Sequence, residues 1–155
     1  EEYMKVLFQK IYEDYLSKLQ DYPEKDAKAA IQLQQIFYRM TKYFIENFNT
    51  ANFLTEALYR SKAASYFTNY RVQHFIFVRT LIEQAQREGD ICSDMNSYEI
   101  YTTLQSILIQ PIIIKNNILQ QHKNEPLMDK LKLIDVSSES SLQKRLRIAF
   151  KGLRP

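Results

Sequence analysis

Interruptions by glycine and proline are so rare in this chain that they limit its fold more than any other feature. Its 155 residues include two glycines and four prolines. β-Sandwiches and barrels need turns at short, regular intervals, and glycine and proline supply most of those turns. The apolar residues instead recur every three or four positions, which is the spacing of amphipathic helices. The sequence therefore predicts an all-α protein, a helical bundle of about six to seven helices.

The scarcity of glycine also excludes two kinds of nucleotide site. Gly89 and Gly152 stand far apart, whereas a phosphate-binding loop and a dinucleotide fingerprint each need several backbone positions without a Cβ. The chain length is typical of one domain with one hydrophobic core. We therefore expect residues 1–155 to form a single helical domain.

Cysteine content and hydropathy predict a cytoplasmic protein without a membrane partner. The single cysteine, Cys92, has no second cysteine with which to form an internal disulfide. The longest apolar stretch, Ile107 to Ile114, is interrupted by Gln110 and Pro111 and is far shorter than the roughly 20 residues that cross a bilayer. The net charge of +3 comes from charges that alternate in sign along most of the chain, so it predicts no strong electrostatic surface for nucleic acid.

The apolar spacing predicts helices over about 1–22, 24–48, 50–62, 65–88, 97–121, 126–133 and 141–153. Gly89 is placed to end the fourth of these as a C′ cap, and Asn96 with Glu99 forms a capping-box pattern for the fifth. Pro111 should kink that fifth helix. Ser140 is the predicted cap of the last helix. The apolar run Phe75 to Val78 predicts that the fourth helix is central and buried all round.

Enzyme signatures are weak. The two histidines, His74 and His122, do not follow a glutamate by three residues, as metal-binding helical bundles require. Cys92 lies between Asp90 and Asp94, and negative neighbours raise the pKa of a thiol. We therefore predict no enzyme activity, no catalytic residues, no metal and no cofactor.

Facing stripes on three helices predict a mostly apolar ligand cavity between the second, fourth and fifth helices. In such a pocket a few polar groups provide selectivity, and His74 and Gln105 have the positions for that role. The alternative is a packed core in which Tyr70 and His74 bond to other protein groups. With 11 tyrosines, 9 phenylalanines and no tryptophan, the chain suits a hydrophobic or aromatic ligand. The predicted lining residues are Phe37, Thr41, Phe44, Phe67, Tyr70, His74, Phe77, Tyr101, Gln105, Leu108 and Ile112.

The fifth and last helices have more apolar positions than one small core is expected to cover, which predicts a homodimer. Basic residues on the last helix could instead favour RNA or a membrane surface, but a solvated face is the preferred interpretation. The predicted interface residues are Ile109, Ile113, Leu142, Leu146, Ala149, Phe150 and Leu153.

Three short stretches resemble parts of one protein family. They are Glu1 to Leu7 (EEYMKVL), Leu81 to Ile91 (LIEQAQREGDI) before the helix that begins at Asn96, and Gln110 to Ile114 with the turn Asn124 to Leu127. They are similar, in order, to the connecting helix, the helix–glycine–capped-helix junction and the proline-kinked penultimate helix of the TetR family of bacterial transcriptional regulators. Where that family has Gly-Glu-Pro-Leu after the penultimate helix, this chain has Asn124 in place of glycine.

The resemblance implies the effector-sensing and dimerisation domain of a one-component regulator, usually a repressor. A small molecule bound among the helices would change the spacing of two DNA-binding heads, the first helix would act as the lever, and the last two long helices would form the dimer interface. Operator DNA would be bound only by an N-terminal helix-turn-helix domain, which we expect upstream because the first helix begins without a cap.

Two other functions fit the same pattern. One is an all-α protein-interaction domain without a small ligand, and the other is a carrier of apolar ligands. A cavity of ligand size would separate the regulator from the interaction domain, because a packed core leaves no such void.

Overall fold

Six helices form most of the computed structural model, which describes residues 2–20, 24, 26–50, 52–53, 64–122, 129 and 132–155. They are α1 (Glu2–Gln20), α2 (Ala29–Glu46), α3 (Ala64–Arg87), α4 (Ser97–Leu108), α5 (Gln110–Gln121) and α6 (Glu139–Gly152). No strand occurs within these described ranges. The prediction of an all-α fold is confirmed.

The junction between α3 and α4 forms as its local sequence predicts. Gly89 adopts a φ of 75°, and its N–H donates to the Gln86 carbonyl while the Asp90 N–H donates to the Ala85 carbonyl at 3.0 Å. This pair of bonds is a Schellman motif. At the start of α4, the Asn96 side chain accepts the N–H of Glu99, whose carboxylate accepts the Asn96 N–H at 2.8 Å. The predicted capping box is therefore present.

Two helix starts differ from the prediction because their caps come from other parts of the chain or from a neighbouring serine. α2 begins at Ala29 and not at residue 24, and the Ala29 N–H donates to the Glu88 carboxylate at the far end of α3. α6 is capped by Ser138, whose hydroxyl accepts the Ser141 N–H, and not by Ser140. The Asp135 carboxylate accepts the Ser138 N–H at 2.9 Å and so holds Ser138 in place.

The proline of the predicted long fifth helix lies in the first turn of a separate helix. α4 ends at Leu108, α5 begins at Gln110, and Ile109 joins them with its N–H still bonded to the Gln105 carbonyl at 2.9 Å. Pro111 has no N–H to donate to the Ile107 carbonyl, so a continuous ladder of hydrogen bonds cannot form across this point. The first turn of a helix tolerates proline for the same reason.

The helix at the centre of the described bundle is α2, which packs against each of the other five. Its fully buried side chains include Leu33, Ile36 and Phe37. The prediction that α3 is central and buried all round was wrong, because Ile76 is 53% exposed and Phe77 is 41% exposed.

α6 closes the bundle by packing on α4 and α2. Its apolar stripe is buried within the single chain, at Leu142, Leu146, Ala149 and Leu153. At its end, the Leu153 carbonyl accepts the Cys92 N–H at 2.7 Å, which ties the chain's last turn to the loop between α3 and α4.

Several sequence predictions fall outside the residues that the structure describes. They are the end of the first helix at Tyr22 and Pro23, most of the short helix over 50–62, and most of the segment 126–133 with the turn that precedes it. Within the described ranges, no helix combines the length and the apolar character that crossing a bilayer requires.

Candidate functional site

Four aromatic rings, one from each of four helices, meet in the interior and form the candidate site. They belong to Tyr15 of α1, Tyr43 of α2, His74 of α3 and Tyr101 of α4, and we call them the His74 cluster. The centroid of the His74 ring lies 6.0 Å from that of Tyr15 and 6.2 Å from that of Tyr101. The Tyr15 ring lies 5.0 Å from that of Tyr43, edge to face. The cluster therefore connects α1 to three other helices.

His74 contributes an unsatisfied polar atom to this apolar setting. Its side chain is only 7% exposed, and its buried Nε2 has no hydrogen-bond partner among the residues that the structure describes. Leaving such an atom unpaired in the interior costs about 1–3 kcal/mol. A group that bonded to Nε2 would recover part of that cost, so this atom is the strongest indication of a ligand in the described part of the chain.

The charge state of the cluster follows from its burial. Burial lowers the pKa of His74 from 6.5 to about 4 and raises the pKa of Tyr15 well above its usual value of 10. Both side chains are therefore uncharged at neutral pH. The Lys18 ammonium lies 5.4 Å from the centroid of the Tyr43 ring, at an exposed position. This setting favours an uncharged ligand, because burying an unpaired charge is costly.

Two of the predicted polar residues already have intramolecular partners. The Gln105 amide donates to the Tyr101 hydroxyl at 2.8 Å, one helical turn away. The Thr41 hydroxyl is fully buried and donates to the Phe37 carbonyl at 2.7 Å. Gln105 therefore acts on the cluster through Tyr101, whereas Thr41 has satisfied its hydroxyl within its own helix.

The structure brings together part of the predicted ligand-binding set. Phe37 packs its ring edge against Tyr101 with centroids 6.1 Å apart, which joins it to His74 and Gln105. Phe44 is half-buried and contacts the neighbouring Tyr43 ring. Leu108 and Ile112 are fully buried core residues.

One predicted lining residue on α3 points to solvent. Phe77 is 41% exposed, whereas Val78 is fully buried. At about 100° per residue, Val78 lies closer than Phe77 to the direction of His74 on the helix, which explains why the structure buries it. Phe67 and Tyr70 lie on α3, in the part whose side chains the structure does not describe.

The predicted interface residues lie mostly in the core of the single chain. Ile109 and the four α6 residues Leu142, Leu146, Ala149 and Leu153 are at most 5% exposed. Within one chain, α4 and α2 already pack against the α6 residues of this set. Their assignment to a dimer interface stays a prediction. Ile113 and Phe150 are partly buried against the same core.

An exposed apolar groove lies along α5. It has a volume of about 360 Å³ and is lined mainly by Pro111, Ile114, Ile118, Ile134 and Val136. Ile114 and Ile134 are each 54% exposed. Lys115 joins the two sides of the groove by donating to the Ile134 carbonyl.

Sequence reasoning missed Tyr15 and Tyr43 as members of the site. Tyr15 shares a buried stripe with Phe8, Tyr12 and Leu19, and this helical spacing is visible in the sequence. The spacing indicates a buried face but gives no sign that Tyr15 meets a histidine on α3. That pairing depends on how α1 and α3 pack around α2.

The thiol of Cys92 is poorly suited to act as a nucleophile. Burial and the Asp94 carboxylate raise the pKa of the Cys92 thiol above its usual value, which disfavours the nucleophilic thiolate. Among the residues that the structure describes, no three His, Cys, Asp or Glu side chains converge as metal ligands would. No family model, curated protein or solved structure matches this chain at a significant level.

Proposed function

We propose that this chain is the effector-sensing and dimerisation domain of a one-component bacterial transcriptional regulator of the TetR type, acting as a repressor in the cytoplasm. The observation that carries the proposal is the buried, unpartnered Nε2 of His74, surrounded by rings from other helices. The effector would be a small hydrophobic or aromatic molecule that forms a hydrogen bond with this atom. The resemblance of three sequence stretches to the TetR family adds independent support.

The position of Tyr15 suggests how binding would be transmitted. Its ring faces His74 from α1, so a ligand seated against His74 would favour one placement of α1 over another. A ligand shifts such an equilibrium only by its difference in affinity for the two arrangements. In the proposed regulator, α1 carries that difference to DNA-binding heads, which are not part of this chain and which contact the operator.

Dimerisation belongs to the same proposal, on a surface that differs from the sequence-based one. The apolar groove around Pro111, Ile114 and Ile118 has few polar groups. A second copy that placed its own groove there would shield these side chains from water through a self-complementary contact. The buried stripe of α6 would then stabilise each chain and not the dimer.

A second candidate function is an all-α protein-interaction domain that binds no small molecule. The observation that favours it is the complete burial of Phe37, Leu108 and Ile112, three of the predicted lining residues, as ordinary core. In that case His74 is a core residue whose unsatisfied atom is a cost of packing. An apolar-ligand carrier is a variant of the first proposal in which α1 transmits nothing.

Native mass spectrometry and thermal shift separate these functions. The purified protein is sprayed under native conditions to look for a co-purified small molecule, and is then melted with neutral phenols and aromatic alcohols. A matched series of their methyl ethers, which cannot donate a hydrogen bond to Nε2, is the control. The expected result is a bound small molecule, or stabilisation by the hydroxyl compounds but not by the ethers. The absence of both effects would favour the interaction domain.

A further inference from the structure

The face of α6 that points away from the core lines a groove of about 680 Å³ shared with α2. We call it the basic groove, because four of the side chains that line it are positively charged. Its lining includes Gln34 of α2 and, from α6 and the residues just beyond it, Lys144, Arg147, Phe150, Lys151 and Arg154. The four cationic side chains are exposed, and Phe150 is half-buried against the core.

The four cations of the basic groove have no ion-pair partner in the described part of the chain, although such pairs are common elsewhere in it. The acidic residue on α6 is Glu139. Its carboxylate accepts hydrogen bonds from the Gln143 amide at 2.8 Å and from the Tyr38 hydroxyl at 3.1 Å. Like charges on one face repel one another, so an anionic partner would relieve that repulsion. Cations that are paired elsewhere in the described chain include Lys18, Lys28, Lys42, Arg79 and Lys132.

The spacing of the positive charges suits a helical binding partner better than an anionic partner without regular structure. Lys144, Arg147 and Lys151 follow one another at intervals of three and four residues, so they lie along one face of α6 over about 10 Å. Arg154 follows three residues later, just beyond the end of the helix. Carboxylates at the same intervals on a facing helix would meet them in register. Phe150 adds an apolar contact, as the floor of a helix-binding groove usually does.

We propose that the basic groove docks an acidic amphipathic α-helix of another protein, with three or four carboxylates at this spacing and an apolar residue against Phe150. A second copy of this chain does not fit, because none of the six described helices carries three carboxylates at these intervals. The helical spacing of the cations and the apolar contact that Phe150 offers favour a helix over a nucleic acid. The proposal stands apart from ligand binding at His74.

The test uses two synthetic helical peptides of identical composition. Both are fluorescein-labelled, alanine-based 18-residue peptides with four glutamates and one leucine. In the first, the glutamates follow intervals of three, four and three residues with the leucine beside them; in the second, they are spread around the helix. Fluorescence anisotropy should show at least about tenfold tighter binding of the first peptide, a difference of about 1.4 kcal/mol.

Matched charge reversals locate the contact. Arg147→Glu should weaken binding of the first peptide about tenfold, because an attraction becomes a repulsion, whereas Lys10→Glu on exposed α1 should change it less than about twofold. Arg147→Gln should give an intermediate loss. Circular dichroism melts of the three variants establish that each is folded, and the neutral variant carries the test if Arg147→Glu does not fold.

Other partners are outcomes that overturn the proposal. Equal affinity for the two peptides would show that the groove does not recognise helical spacing. Tighter binding of an 18-nucleotide single-stranded DNA, or of vesicles rich in phosphatidylserine, would assign the surface to a different class of partner. An unchanged affinity in Arg147→Glu would remove the basic groove from the interaction.

Discussion

The imidazole ring of His74 on α3 lies 6.0 Å from the phenol ring of Tyr15 on α1, centroid to centroid, and both side chains are buried. The two residues are far apart in sequence, and their helices meet only because both pack against α2. A histidine with an unpartnered Nε2 is thus in direct reach of the helix that precedes all others in this chain. This geometry links a candidate binding atom to a candidate lever.

Because His74 is buried, the free energy of unfolding should decrease as the pH is lowered. Because its pKa drops from 6.5 in the unfolded chain to about 4 in the folded one, the unfolded state binds the extra proton first as the pH falls. The difference corresponds to a loss of about 3 kcal/mol in the free energy of unfolding between pH 7 and pH 4, with a small further loss from this group, about 0.4 kcal/mol, below pH 4. Tyr15, which faces it and whose pKa is raised by burial, stays uncharged over that interval.

Urea unfolding of the wild type and of His74→Phe, at several pH values, isolates this contribution. The difference in unfolding free energy between the two proteins should change by about 3 kcal/mol from pH 7 to pH 4. Parallel curves for the wild type and His74→Phe would show that His74 is not buried in its neutral form.

The two glycines should respond to alanine in opposite directions. Gly89 has a φ of 75°, and a Cβ there would meet no atom within 4 Å, so Gly89→Ala should cost about 1 kcal/mol through backbone strain alone. Gly152 lies in the last turn of α6 with equally open surroundings, so Gly152→Ala should stabilise by roughly 0.5–1 kcal/mol. Thermal melts measure both changes, and equal effects would contradict the assigned backbone conformation.

Arg145 should be important for stability although it forms no ion pair in the described chain. Its guanidinium donates to the carbonyls of Leu108, at the end of α4, and of Val136, before α6. Arg145→Ala leaves these two acceptors without a partner and should cost about 2 kcal/mol. Arg145→Lys should recover only part of this, because one ammonium replaces a planar fork.

Arg147 is the matched control, since it is exposed on the same helix. Arg147→Ala should change the unfolding free energy by no more than about 0.5 kcal/mol. Chemical denaturation of the three variants checks the order, and a loss in Arg147→Ala as large as that in Arg145→Ala would contradict the role given to the two carbonyls.

Local features of this fold could be predicted from the sequence, because each depends on residues a few positions apart. The cap at Gly89 and the capping box of Asn96 and Glu99 are of this kind. The start of α2 could not be predicted, since the Ala29 N–H is capped by Glu88 from another helix.

The candidate site shows the same limit. The periodic pattern of α3 leaves Phe77 and Val78 as alternatives on the face of His74, and only packing against α2 decides that Val78 is buried. The apolar stripe of α6 is legible in the sequence, but a stripe has the same pattern whether its own chain or a second chain covers it. Tyr15 belongs to the site because of its distance from His74 in space, which no spacing in the sequence conveys.

The proposed dimer should depend on the groove of α5. Light scattering at micromolar concentration should give the mass of two chains for the wild type, and Ile114→Lys should reduce it to one, because a charge would be placed in a dry contact. Ile31→Lys is the control, since Ile31 is 47% exposed on α2, outside the groove. A monomeric wild type, or a dimer that survives Ile114→Lys, would contradict this surface.

The affinity of His74→Phe for the best-binding neutral hydroxyl compound tests the central claim most directly. Phenylalanine keeps an aromatic ring in the cluster but removes Nε2, so the variant should be at least as stable as the wild type at pH 7 while it loses the hydrogen bond to the ligand. Isothermal titration calorimetry should show at least about tenfold weaker binding, a loss of about 1.4 kcal/mol, with no change for His122→Ala. Two results would contradict the claim that His74 Nε2 binds the ligand. One is wild-type protein that binds none of the compounds, and the other is a His74→Phe affinity within about twofold of the wild type.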